Sequence, residues 1–130
     1  MSVIRVEEYS MKNSEKVLKV ILKPTKKFPE GTIFLVDDNE IVRTLLAKYT
    51  WTCCQRDYYI FLEANPSVHC RLKFHREYVK ELLGYYPEYV AHQDNDYFNI
   101  CKNNLIIGGD NGEFQLLDSL LNPELIRGIL

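Results

Sequence analysis

The chain has 130 residues, 46% of them hydrophobic, with a formal net charge of −2. That length suits one domain with a real core and is short for two. The composition excludes a disordered chain, and no apolar run approaches the ~20 residues that a membrane span needs. The first residues lack a charged-then-apolar signal pattern, so the expected location is cytoplasmic, with no membrane association.

In chain order, residues 2–9 alternate apolar and charged side chains, which predicts a short strand. Residues 16–24 read the same way, with Pro24 as the stop, and Thr25 to Gly31 form a turn-rich connection. Lys16, Lys19 and Lys23 suit exposed edge positions that discourage aggregation, or a basic patch. A compact strand follows at 32–36. Residues 39–48 carry Ile41, Val42, Leu45 and Leu46 on one stripe, the pattern of a short helix that Asp37 or Asp38 can cap. Tyr49 and Trp51 open an aromatic strand, and Tyr58 to Leu62 reads as its hairpin partner.

A second helix is predicted from Arg71 to Leu83, ended by Gly84 and the Tyr-Tyr-Pro at 85–87. Beyond Val90 come a polar loop, a strand at Asn104–Ile107, a Gly-Gly turn and a helical C-terminal region, with Pro123 starting a final short helix. Leu116, Leu117, Leu120 and Leu121 form an apolar stripe that suits the core. The expected fold class is α+β, with small antiparallel sheets and short helices. One domain spans 1–130: N-terminal strands (1–30), a middle segment (31–70), a third segment (71–122) and a tail helix (123–130).

Cys53, Cys54, Cys70 and Cys101 form no CxxC pair, so neither a disulfide framework nor a zinc ribbon is expected. Reduced, partly buried thiols are the simpler reading, although His69 and His75 could converge on a zinc site with them. Charge is uneven. Residues 1–30 hold seven Lys/Arg against four Asp/Glu, or +3, and residues 31–130 hold nine against fourteen, or −5. A protein gripping duplex DNA usually presents a basic surface, so the acidic larger part speaks against simple DNA binding.

Three spaced segments carry a resemblance. The first is Phe34-Leu-Val-Asp-Asp-Asn-Glu, followed by Leu46-Ala-Lys-Tyr-Thr-Trp51; the second is Phe74-His75-Arg76-Glu-Tyr-Val79. The third is Val90-Ala-His92-Gln-Asp94-Asn-Asp96, then Asn99 and Asn104-Leu105. In order and spacing they resemble the HNH (His-Me finger) endonucleases of phages and mobile elements, from about Gly31 to Glu113. The resemblance implies a ββα-metal core in the C-terminal half and a nuclease mechanism. His92 would take a proton from water as general base. Asn104 would orient its ring, and one Mg²⁺ or Mn²⁺ would stabilise the charge developing on phosphate. Zinc is not expected there.

The family commonly holds its metal with an Asp or Asn just before the histidine and with a residue at the start of the following helix. Those positions here are Ala91, which cannot bind a metal, and Glu113, which can; Asp94 is a substitute ligand. Asn95 stands where the family has a loop glycine, and Ile100, Cys101 and Lys102 stand at basic positions. His75, Arg76 and Lys102 are the candidates for contacting nucleic acid or a partner.

Each residue also has a plainer role. Asp94 and Asp96 suit turns that hydrogen-bond their own backbone, Asn104 suits a strand pin, and His75-Arg76 suits helix packing. The cluster Tyr58, Tyr59, Phe61, Tyr85, Tyr86 and Tyr89 suits base stacking, or core plus a protein interface, and the negative charge around it favours the second. The leading functional expectation is a diverged HNH-like protein, phage- or mobile-element-encoded, with an impaired metal site and a binding or inhibitory role toward a host factor. The alternative is an active Mg²⁺-dependent nicking endonuclease. The partner is accordingly a host protein or DNA; a weaker third reading binds nucleic acid through Lys12–Lys27.

Overall fold

The structure, a computed structural model, describes residues 3–10, 16–109 and 112–121. It is α+β, built from three small sheets and short helices. The first sheet joins β1 (Val3–Ser10), β2 (Lys16–Leu22) and β3 (Thr32–Asp37) as antiparallel neighbours. Leu18, Val20 and Leu22 on β2 and Phe34 and Val36 on β3 turn to one face and are buried, as the period of two requires. The hinge between these strands is Gly31 at φ 82°, where a Cβ would come within 2.8 Å of the Leu22 carbonyl oxygen.

Helix α1 (Glu40–Lys48) follows β3, and its cap differs from expectation. Asn39, not Asp37 or Asp38, accepts the Val42 N–H at 2.9 Å. Only Asn39 holds the extended backbone directly before the first turn. The two aspartates are engaged elsewhere. Asp38 takes a two-pronged contact from Arg43, at 2.7 and 3.1 Å. Asp37 accepts the Tyr78 hydroxyl at 2.5 Å and the Lys102 N–H at 2.8 Å.

Trp51 lies just before β4 (Thr52–Arg56), fully buried. Its indole N–H reaches the Leu45 carbonyl at 2.8 Å, and its ring meets Phe74 edge to face at 5.1 Å. β4, β5 (Tyr59–Ser67) and β6 (Cys70–Lys73) make the second, antiparallel sheet. β6 corrects the expected helix start at Arg71. Lys73 and Leu72 pair with Glu63 and Ala64, so α2 (Phe74–Leu83) begins three residues later than predicted. Pairing with β5 satisfies this backbone, which local periodicity could not foresee. Gly84, at φ 87°, ends α2 in the left-handed conformation and donates to the Lys80 carbonyl.

The third sheet has the order β10-β9-β7, from β7 (Tyr89–His92), β9 (Leu105–Gly108) and β10 (Phe114–Leu116). Between β7 and β9, the two-residue β8 (Asn99–Ile100) joins the first sheet in parallel with β3. A 3₁₀ turn at Lys102–Asn104 then leads into β9, so Asn104 precedes the strand it was expected to start. Residues 114–116, expected to be helical, are strand; the Phe114 ring lies over Gly108, its register partner. Helix α3 (Leu117–Leu121) buries Leu117, half-buries Leu120 and Leu121, and leaves Leu116 exposed. The expected helix at Pro123 lies outside the described residues. Among the described residues no helix is long and apolar enough to cross a membrane.

Candidate functional site

His92 closes β7, opposite Leu105 of β9, with only 8% of its surface exposed. The loop after it is fastened by its own polar side chains. Asp94 Oδ1 accepts the Asp96 N–H at 2.8 Å, and Asp96 Oδ1 accepts the Phe98 N–H at 3.1 Å. Asn95 sits at φ 60°, a conformation asparagine tolerates. The buried Asn104 amide donates to the Asn99 carbonyl at 3.0 Å and accepts the Asp94 N–H at 3.3 Å. Both ends of the Asn104 amide therefore hold the loop that follows His92, and neither bonds to the His92 ring.

The His92 ring stacks at 5.3 Å against Tyr97, edge to face, and at 5.7 Å against His75 from the first turn of α2. His92 Nε2 and His75 Nδ1 are both buried without a hydrogen-bond partner. Burial lowers the His92 pKa, opposed by the charges of Asp94 and Asp96. His75 falls to about 3, chiefly through burial and then through His92, Lys73 and Arg76. Both shifts favour the neutral ring.

These rings line a cleft of about 350 Å³ shared by α2, β7 and the second sheet. Three cationic side chains enter it: Arg56, Lys73 and Arg76; Asp57 and Glu88 are its carboxylates. Arg76 also donates to the Pro87 carbonyl at 2.6 Å, tying α2 to the segment that leads into β7. Arg56 and Lys73 lie over the buried Phe61 ring, 5.8 and 5.1 Å from its centre. Behind them the buried Glu63 carboxylate meets Arg56 at 3.4 Å and Arg71 at 3.9 Å.

Of the residues singled out from sequence, His92, His75 and Arg76 meet in this cleft, with Ala91 on its wall. Asp94 stays in the adjoining loop. Glu113 does not start a helix. It precedes β10, accepts the Gly109 N–H through its carbonyl at 3.3 Å, and lines a separate depression with Tyr85, Tyr86 and Gln115. Lys102 lines a third depression, beside Lys16, Asp38 and Asp118. Sequence reading missed Arg56, Lys73 and Tyr97. Period-two alternation places Arg56 and Phe61 on opposed strands, but only the β5–β6 register brings Lys73 beside them.

The donor set does not suit Mg²⁺ or Mn²⁺. Position 91 offers no side-chain oxygen, Glu113 faces another depression, and three cations share the cleft with His92. Among the described residues no group of three or more His, Cys, Asp or Glu is arranged to hold a metal. The cysteines are free thiols, Cys101 buried and the others half-buried. No family model matches the chain, and no curated protein or solved structure is significantly similar to it.

Proposed function

We propose that this chain is a diverged HNH-like protein of phage or mobile-element type that acts by binding phosphate through the His92 cleft, without metal-dependent cutting. The observation that carries this reading is the convergence of Arg56, Lys73 and Arg76, which outnumber the carboxylates Asp57 and Glu88, on a cleft floored by two histidines whose pKa values are both lowered. Fixed guanidinium and ammonium groups recognise phosphate without a metal. The strand–loop–strand around His92 and Asn104 supports the resemblance, and the interposed β10 together with Ala91 supports divergence. Of the expected partners, a host protein or DNA, this reading favours nucleic acid over protein, and the inhibitory role would consist in occupying it.

A plasmid-nicking assay with Mg²⁺ or Mn²⁺, run beside His92→Ala, tests this reading. The expected result is no nicking by either protein, together with salt-sensitive retention of nucleic acid by the parent. The competing reading, an active nicking enzyme, draws on the burial that keeps His92 in the unprotonated form a general base needs. Cleavage by the parent that disappears in His92→Ala would establish that reading and overturn ours.

A further inference from the structure

The His92 cleft carries a chain of rings that reaches from the interior to solvent. His75 meets His92 at 5.7 Å, His92 meets Tyr97 at 5.3 Å, and Tyr97 meets Tyr59 at 5.6 Å. Tyr59 at the outer end is 62% exposed, and Tyr58 beside it on the β4–β5 turn is 88% exposed. Core packing accounts for neither ring. The same short hairpin supplies Arg56, one residue before the turn, and β6 supplies Lys73. The exposed Tyr59 ring and three cationic side chains thus share one small cleft with the carboxylates Asp57 and Glu88, Tyr58 lying outside its lining, and the partnerless Nε2 of a more than nine-tenths buried histidine is at its base.

We propose that the cleft takes one unpaired nucleotide of a single strand, its phosphate at Arg56 and Lys73 and its base against Tyr59 and Tyr97. This rests on the phosphate-binding reading above and names the form of nucleic acid that satisfies it. A volume of about 350 Å³ lies at the small end of ligand sites and admits one nucleotide, not two paired strands. In a duplex the base faces are stacked on one another, so an exposed tyrosine finds only base edges; in a single strand every base offers a face. Three cations supply little counterion release compared with a duplex-binding groove, so the rings must contribute much of the affinity. Arg76, held by the Pro87 carbonyl, is a fixed positive edge for the phosphate and not a mobile clamp.

Fluorescence polarisation with a labelled short single strand and the duplex of the same sequence tests the proposal, run with both DNA and RNA to identify the sugar accepted. The expected result is a single strand of either sugar bound roughly ten-fold or more tightly than its duplex. Tyr59→Ala should weaken single-strand binding roughly ten-fold, the scale of one lost base–ring stack. That side chain is exposed, and an unchanged circular dichroism spectrum verifies the fold of the variant. Lys73→Gln should weaken binding and lower its salt dependence. Equal affinity for strand and duplex, or a Tyr59→Ala variant that binds like the parent, overturns this inference and leaves the phosphate reading standing. Absence of salt-sensitive binding to any of the nucleic acids overturns both.

Discussion

At the scale of single residues, Asp37 and Tyr78 stand 41 positions apart and meet at 2.5 Å. Asn39 donates to the same hydroxyl at 2.8 Å while it caps α1, and the Lys102 N–H completes the group. The acidic turn that helped suggest a nuclease-like segment thus works as a polar clasp joining β3, α1, α2 and the 3₁₀ turn. The buried phenol is accordingly pushed well above its ordinary pKa, by burial first and then by Asp37. His75 makes the opposite kind of statement. Its folded-state pKa of about 3 lies below the ordinary 6.5, so the unfolded chain binds a proton there that the folded chain does not. Stability from this group is complete above pH 6.5 and is lost as pH falls toward 3. Denaturant midpoints measured across that window should fall less steeply for His75→Phe than for the parent. Identical slopes would show that the imidazole is not held neutral in the fold.

At the scale of elements, the third sheet decides where the candidate groups go. β7 and β9 run antiparallel from Tyr89 opposite Gly108 to His92 opposite Leu105. Glu113 lies near the Gly108 end of this pair, and His92 lies at the other. β10 keeps its place partly because Gly108 leaves room for the Phe114 ring. An added Cβ would approach two ring carbons to 2.5 and 2.8 Å. Gly108→Ala should therefore swing the half-exposed Phe114 outward, at a global cost under about 1 kcal/mol. The sensitive readout is local: amide exchange in Phe114–Leu116 should quicken while that of β2 stays the same. Unchanged β10 protection would mean that the strand is held by its ladder alone.

At the scale of the whole molecule, net charge and local charge diverge. Residues 31–130 sum to −5, yet Arg56, Lys73 and Arg76 from three different elements meet in one cleft and outnumber its carboxylates, Asp57 and Glu88. If that cleft carries the binding, one or two phosphates are neutralised, and log K should fall with log[salt] at a slope of about −1 for a single strand. A titration giving a slope of about −5 or steeper would instead place the binding on a wider surface, such as the lysines between β2 and β3. The sequence by itself determined the class, the alternating strands β2 and β3, the stripe of α1, the glycine stop of α2 and the turn chemistry of Asp94 and Asp96. Each follows from contacts between residues a few positions apart, which a linear pattern records. Only the tertiary structure decided that Asn39 caps α1, that 70–73 is strand, that Glu113 faces away from His92, and that Lys73 and Tyr97 join it. Those outcomes depend on register and on backbone groups finding partners tens of residues away, and a one-residue change of register would turn the same side chains to the opposite face.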